Sequence, residues 1–465
     1  MGCQSGLTDR PIRRLAWIGV LLGAVAAQPS QAQSLSEALS QAYINNPQLN
    51  SARAQLRVTN ENVPQALSGY RPRVSVNASA GQQWSEARAF GNTTSAVRTP
   101  RSVGIQVDQT LFNGFQTDNQ VRQAEAQVRS QREVLRTTEQ DVLLAAATVY
   151  MDVVRDSALV ELQRNFVNVI NEQLRATRSR FEVGEVTRTD VAQAESRLAL
   201  SRSQLAAAQA QLNLSRANYL RVVGRPAQQR LNGRTTVEGI LPRSIEQALS
   251  VGSNEHPQIR AAVFGVDSAA FAVAVAQAAL YPTVTVTGLL QRQYAPSTTV
   301  DRLDTASIVG RVTIPIYDGG IGSSRVRQAK ESLGQSRINI DVVRDQVRAL
   351  IISNWGNLDA QRAQIEAARA QIAASEIALN GVREEARVGQ RTTLDVLNAQ
   401  QDLLNARVSL VQAERNRVVA AYALLGAIGR LNLPRLGLNV PQHDPTLHYN
   451  QVRDRWHGMR TPSGE

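Results

Sequence analysis
The side chains that most often carry catalysis or hold transition metals are scarce: four histidines and one cysteine in 465 residues. His443 and His448 stand five apart beside Pro441 and Pro445, and no third ligand lies near them in sequence, so no metal site is expected. The lone Cys3 excludes both a disulfide framework and a cysteine-rich zinc site. Asp318-Gly-Gly-Ile-Gly322 follows a strand candidate and opens a helix, as a dinucleotide loop does. Arg325 stands where the third glycine would be, and the following helix is far too long for a βαβ unit, so the segment reads as a strand-to-helix turn. What remains is a pair of turns, Val183-Gly-Glu-Val-Thr187 and Val388-Gly-Gln-Arg-Thr392, each with an aspartate three residues on, Asp190 and Asp395. These groups can hydrogen-bond and carry charge, but they make no nucleophile–base set. Neither an enzyme nor a bound cofactor is expected.

Charge and composition narrow the class further. Lys and Arg together number 51 against 39 acids, a formal charge of +12, and Lys330 is the only lysine. The arginines are interspersed with Glu and Asp along helix faces, the pattern of a solvated surface, so nucleic acid is not an expected partner. Residues 10–32 read as an export signal. Arg10, Arg13 and Arg14 precede an apolar run of about 13 residues, shorter than the roughly 20 that span a bilayer, and Ser30-Gln31-Ala32 suits cleavage. Cys3 precedes that run, so it is not a lipid-anchor site. No later segment reads as a membrane helix. Any membrane crossing must then use strands.

The elements that position the two turns form a duplicated unit. Ser34-Leu-Ser-Glu-Ala-Leu39 returns as Ser244-Ile-Glu-Gln-Ala-Leu249, and Asn46-Pro-Gln-Leu49 as His256-Pro-Gln-Ile259. Leu111-Phe-Asn-Gly114 returns as Ile316-Tyr-Asp-Gly319, and Val183-Gly184 as Val388-Gly389. The expected divisions are a signal peptide at 1–32, a first repeat at 33–224, a connector at 225–243, a second repeat at 244–430 and a flexible tail at 431–465. Each repeat reads helix, strand, loop, strand, long helix, tight turn, helix. The strands fall near 73–84, 102–112, 283–294 and 305–316. The long helices fall at 115–183 and 321–388, and their return helices at 188–223 and 392–429.

Alternation marks the strands. Val74, Val76, Ala78, Ala80 and Trp84 share one face and Ser75, Asn77 and Ser79 the other; Val103, Ile105 and Val107 alternate with Gly104, Gln106 and Asp108. Val284, Val286 and Leu290, then Ile308, Val312, Ile314 and Ile316, repeat this in the second half, where Val309 and Pro315 weaken the last strand. Each run approaches the ~9–11 residues of a tilted membrane strand. Tyr70, Phe112, Tyr281 and Tyr317 sit at one end, with Trp84 and Tyr294 toward the other, as interfacial girdles would. Val121, Val128, Leu135, Val142 and Val149 recur by heptads; Val160, Val167, Leu174 and Phe181 follow after an eleven-residue step. Val326, Leu333, Ile340 and Val347, then Ile365, Ile372 and Leu379, keep the same stutter, which unwinds a supercoil toward straight helices. Four strands cannot close a membrane barrel, and open edges are not tolerated in lipid, so several copies must pool their strands. Strand number alone leaves two, three or four copies open.

The paired segments Arg180-Phe-Glu-Val-Gly-Glu-Val-Thr-Arg-Thr-Asp-Val191 and Arg387-Val-Gly-Gln-Arg-Thr-Thr-Leu-Asp-Val-Leu-Asn-Ala-Gln-Gln401 resemble the marker segments of the TolC family of outer-membrane channels. The resemblance runs through most of the chain to about residue 430. It implies a mainly α protein with membrane β: four strands per chain, pooled by a homotrimer into a 12-stranded barrel continuous with a long periplasmic α-helical barrel. It implies as partners a periplasmic adaptor, an inner-membrane pump of ABC or RND type and outer-membrane lipid, with drugs, toxic small molecules or secreted proteins as cargo. Carried over residue by residue, the docking tips are Val183, Gly184 and Thr187 with Val388, Gly389 and Thr392. The gate is Thr189 linked with Arg391, together with Asp190 and the acidic position Asp395. Two positions depart from the family pattern: Ala386 replaces a tyrosine that would partner Asp190, and Asn398 replaces a second acid. The competing reading is a structural coiled-coil envelope protein or adhesin without transport activity.

Overall fold
The computed structural model describes residues 34–228, 231–233, 237–462 and 464; the expected signal peptide lies outside the described residues. The first half runs α1 (Leu35–Asn45), α2 (Pro47–Asn60), α3 (Asn62–Leu67), β1 (Arg73–Ala80), β2 (Gln83–Ala89), β3 (Asn92–Arg98), β4 (Arg101–Asn113), α4 (Gln116–Glu182) and α5 (Arg188–Val223). The second half runs α6 (Ile245–Glu255), α7 (Pro257–Ala278), β5 (Thr283–Tyr294), β6 (Arg302–Thr313), α8 (Ile321–Arg387) and α9 (Thr393–Ala427). Two short helices follow, α10 (Leu433–Leu436) and α11 (Leu447–Val452).

The repeat is visible in how its helices begin and where they meet. Ser34 and Ser244 cap α1 and α6 by accepting from the backbone N–H of Glu37 and Gln247. Asn46 caps α2 through Oδ1 and donates Nδ2 to the Val222 carbonyl at 2.8 Å, which ties the end of α5 to this corner. His256 takes the same place before α7, its Nδ1 accepting from the Gln258 N–H at 3.2 Å. The return helices end against these caps. A Cβ on Gly224 would stand 2.8 Å from Asn45 Cβ, and one on Gly429 would stand 2.8 Å from His256 Cα. Arg430 then donates two hydrogen bonds to the Glu255 carboxylate.

His256 is 3 % exposed, and burial drives its imidazole pKa down to about 4. The neutral ring is the one the fold accepts. The unfolded chain gains a proton near pH 6.5 while the folded chain does not, so stability is full above that pH and falls as pH drops toward 4. The loss expected from this group is roughly 3 kcal/mol. His256→Asn, which restores the cap used in the first half, should flatten that part of the urea-denaturation profile between pH 6.5 and 4.

The strands form one four-stranded antiparallel sheet in the order β1-β4-β5-β6, with β2 and β3 as a separate hairpin. Val76 lies opposite Ile105, Ile105 opposite Leu290 and Leu290 opposite Ala306, so the apolar face continues across all four strands. Asn77, Gly104, Gln291 and Thr305 form a row of the other face. Two strand expectations change. The segment after Ala80, expected as continued strand and then loop, is the hairpin β2–β3, turned at Phe90-Gly91 with φ of 52° and 84°. A two-residue turn with both φ positive matches the twist of a hairpin. Trp84 thus belongs to β2 rather than to β1. The fourth strand ends at Thr313, so Ile314 and Ile316 lie beyond it; Pro315, which has no N–H to donate, stands just past the end.

The 67 residues of each long helix make rods of about 100 Å. Of the heptad positions, Val128, Leu135, Val142, Val160, Leu174, Val326, Val347, Ile365 and Leu379 are buried, whereas Phe181 is exposed at the end of α4. The main core gathers residues of α1, α4, α5, α8 and α9 around Tyr43, Tyr150, Tyr219, Ile351 and Leu425. Beside it, Arg155 donates to Asp156 at 2.7 and 3.0 Å, Ser215 of α5 donates to the same carboxylate, and Arg415 of α9 reaches Asp152 at 2.9 Å. This ionic set staples α4 to both return helices. Contrary to the sequence expectation, one helical stretch, Ile245–Ala278, contains 18 residues of mean hydropathy 1.7, apolar enough by length and composition to cross a membrane. It is divided by the His256 cap into α6 and α7, and α7 packs along α4 and α8.

The described residues from 431 to 462, expected as a flexible tail, pack along the body of the protomer. Leu433, Leu438 and Val452 are buried, the His443 N–H donates to Tyr43 Oη at 3.1 Å, and Tyr449 Oη donates to Glu125 at 3.2 Å. The prolines suggested flexibility. The apolar anchors between them outweigh that by fitting seams between helices distant in sequence.

Candidate channel wall and helical tips
Both helical turns are built alike. Gly184 and Gly389 have φ of 80° and 79°, and each ends its long helix. The next N–H reaches back five residues, Glu185 to the Arg180 carbonyl and Gln390 to the Glu385 carbonyl, each at 2.9 Å, closing the helix end in a Schellman turn. Thr187 and Thr392 then cap α5 and α9. The Thr187 N–H and hydroxyl donate to Asp190 Oδ2 at 2.9 and 2.7 Å, and the Thr392 pair to Asp395 at 3.0 and 2.9 Å. Each aspartate N–H returns the bond to its threonine hydroxyl, completing a capping box. These bonds, the backbone one first, hold the Asp395 carboxyl below the usual range, so it stays ionised. Val183 and Val388 project into solvent, each 71 % exposed.

The expected gate residues are only partly brought together. Asp190 and Asp395 are both occupied as caps. Within the protomer no hydrogen bond joins Thr189 to Arg391; Arg391 instead donates to Glu385 at 2.8 Å, across its own turn. Arg180 pairs with Glu185 in the same way at 3.2 Å. Asn398 accepts from Arg197 at 2.9 Å, which links α9 to α5. Glu385 and Arg197 were not foreseen, because neither pair lies at helical i, i+3 or i, i+4 spacing. A groove of about 1110 Å³ opens between the two tips, lined by Arg180, Thr187, Asp190, Arg383, Arg391 and Thr392 among others.

The wall continues at the other end of the rods. Asp108, on the polar face of the sheet, accepts from Gln106 at 3.0 and 2.8 Å and from Thr287 at 2.8 Å, and Ser79 and Ser102 bond at 2.8 Å. The opposite face exposes Val74, Val76, Ile105, Leu290, Ile308 and Val312. Among the described residues, neither edge of the sheet, β1 or β6, has a partner strand in the protomer. Among the described residues no cluster of three or more His, Cys, Asp or Glu could hold a metal ion. The architecture offers a surface and a duct wall.

Comparison with known proteins agrees on what such a wall is for. Residues 38–225 and 248–430 match the family described as Outer membrane efflux protein. The chain is 44 % identical over 443 residues to the outer membrane efflux protein BepC of Brucella suis, covering 95 % of each chain. It is 25 % identical over 425 residues to the outer membrane protein TolC of Escherichia coli, covering 87 % of this chain and 83 % of that one. In fold it is similar to the CmeC outer membrane channel of Campylobacter jejuni, with TM-score 0.75 and 17 % identity over 96 % of this chain and 98 % of the other. The chain belongs to the TolC-type family of outer membrane efflux proteins, and is a non-enzymatic outer-membrane channel of tripartite export systems.

Proposed function
We propose that three copies of the chain form one exit duct, the β6 edge of each pairing with the β1 edge of the next to close a 12-stranded barrel. The observation that carries this is the four-stranded sheet with a free edge on each side. Its strands alternate in direction, so β6 can meet the next β1 antiparallel. An unpaired edge in lipid would cost several kcal/mol for each exposed N–H or C=O. An apolar run of 18 residues within the stretch through α6 and α7, only 6 % of it buried in the protomer, supports the same assembly, because a neighbouring copy would cover the side that α4 and α8 leave open. The polar strand face lines the lumen and the rods carry it across the periplasm. The expected export signal at 1–32 is part of this reading.

The described chain has no cysteine, so an edge-to-edge disulfide scan is clean. Ser75→Cys on β1 is combined in turn with cysteine at positions 303–313 of β6. One register should yield covalent dimers and trimers. No cross-link at any position, or a ladder continuing to tetramers, would overturn the three-copy barrel.

At the tips, Val183, Gly184, Thr187, Val388, Gly389 and Thr392 dock a periplasmic adaptor, which couples the duct to an inner-membrane pump. Closure requires Arg391 to leave Glu385 and engage Thr189 of another hairpin, a cheap exchange because the Glu385 pair is exposed and screened. Three ionised Asp395 carboxylates nearby favour cations. Arg391→Ser should raise resting conductance several-fold in planar bilayers; unchanged closure would count against this gate. The cargo is small toxic compounds, in keeping with the efflux name of the 44 % identical relative. A deletion strain should gain drug susceptibility; loss of a secreted protein alone would favour protein export.

A further inference from the structure
We propose that the C-terminal segment is a strap ending in a membrane-interface anchor, with Trp456 seated among the anionic phospholipid headgroups of the periplasmic leaflet. The proposal rests on the reading that the sheet crosses the outer membrane with the rods on its periplasmic side. The path of the segment is fixed at several points. Leu433 and Leu438 are held in the main core; His443 meets Tyr43; His448 meets Asn60 at 3.3 Å; and Tyr449 packs on the cluster of Val63, Ala124 and Val128. Arg132 lies over the Tyr449 ring at 5.2 Å. The strap thus climbs α2, α3 and the first turns of α4 toward the strands.

It ends where the chain enters the sheet. Arg71, two residues before β1, donates to the Arg455 carbonyl at 2.8 Å, and its guanidinium lies 4.7 Å over the Trp456 ring. The end is folded: Arg455 donates to the carbonyls of Arg460 and His457 at 2.6 and 3.3 Å. Despite this order, Trp456 is 69 % exposed and Met459 fully so, at the same end of the strands as Tyr70, Tyr281 and Tyr317. Ordered, exposed apolar side chains at that level are covered by the bilayer interface, where tryptophan is favoured.

Charge identifies the lipid. Arg71, Arg453, Arg455 and Arg460 gather there, against Asp454, Glu125 and Asp118; Glu125 is engaged by Arg453 and Tyr449, and Asp118 by Arg122. A basic cluster beside an interfacial aromatic recruits anionic headgroups.

The test uses full-length protein in which Trp17, Trp84 and Trp355 are replaced by Phe, leaving Trp456 as the sole tryptophan. It is reconstituted in phosphatidylcholine vesicles where a minor fraction of lipid carries bromine near the glycerol, either phosphatidylglycerol or phosphatidylcholine. Trp456 should be quenched in both, and more by brominated phosphatidylglycerol by roughly two-fold or more. Arg453→Gln, Arg455→Gln and Arg460→Gln together should remove that preference. Equal quenching by the two lipids before any substitution would overturn the anionic site. A further variant, with Trp456→Phe and Ile308→Trp, reports the sheet itself in vesicles whose phosphatidylcholine carries bromine near the ends of its acyl chains, at the depth of Ile308. Its quenching without that of Trp456 would overturn the anchor alone; no quenching of either would overturn the membrane reading beneath it.

Discussion

Ile308→Arg should abolish assembly of the channel in the outer membrane, while Ser307→Arg, one residue away, should leave it assembled and conducting. Ile308 lies mid-strand on β6, 84 % exposed, opposite Gly288 and in the row of Val107. In the closed barrel it meets hydrocarbon near the midplane, where an arginine costs roughly 2–4 kcal/mol per copy. Three copies carry that cost together, against a net stability that is small for any folded protein. Ser307 lies opposite Leu289 and in the row of Gln106 and Ser75, on the polar face. An arginine there stays in water and adds a ring of positive charge to the lumen. Heat-modifiable trimer migration of extracted membranes should vanish for Ile308→Arg and persist for Ser307→Arg, with reduced cation preference in the latter. The reverse pattern would mean that the faces are assigned backwards.

Gly429→Val should be among the most damaging changes in the helical part of the protomer. Gly429 has φ of 78°, and a Cβ there would stand 2.8 Å from His256 Cα and 3.1 Å from the Glu255 carbonyl oxygen. Both obstacles are held by the α6–α7 corner, so neither can turn aside as a side chain would. Left-handed strain of about 1–2 kcal/mol adds to overpacking of about 1–3 kcal/mol. Gly184→Ala carries the first cost without the second, since its φ is 80° but nothing lies within 4 Å. Urea denaturation should show Gly429→Val losing about 1–3 kcal/mol more than Gly184→Ala. Equal losses would contradict the close approach of α9 to the His256 corner.

The parts of the fold legible in the sequence are those whose signal is local. Val74, Val76 and Ala78 alternate with Ser75, Asn77 and Ser79 because one strand face meets each solvent, and heptads mark the rods because one stripe of each is buried. The β2–β3 hairpin escaped because Ser85, Glu86, Thr93 and Thr94 give it no apolar alternation. The strap escaped because its anchors dock on partners hundreds of residues away, His443 on Tyr43 being the clearest. The tips were legible in their glycines and caps but not in their ion pairs, which cross the turn. The excess of arginine is partly explained by acids one turn earlier: Glu133 with Arg136, Glu161 with Arg164, Glu172 with Arg175 and Asp341 with Arg344 pair at i, i+3.

If several copies enclose one continuous water-filled duct, the particle must conduct. Purified particles are added to a planar bilayer, and the cross-linked β1–β6 trimer is measured beside the uncross-linked one. Particles whose three chains are covalently closed should give discrete, uniform conductance steps, cation-selective at low salt. Intact trimers that insert and pass no current, even with Arg391→Ser, would contradict the duct.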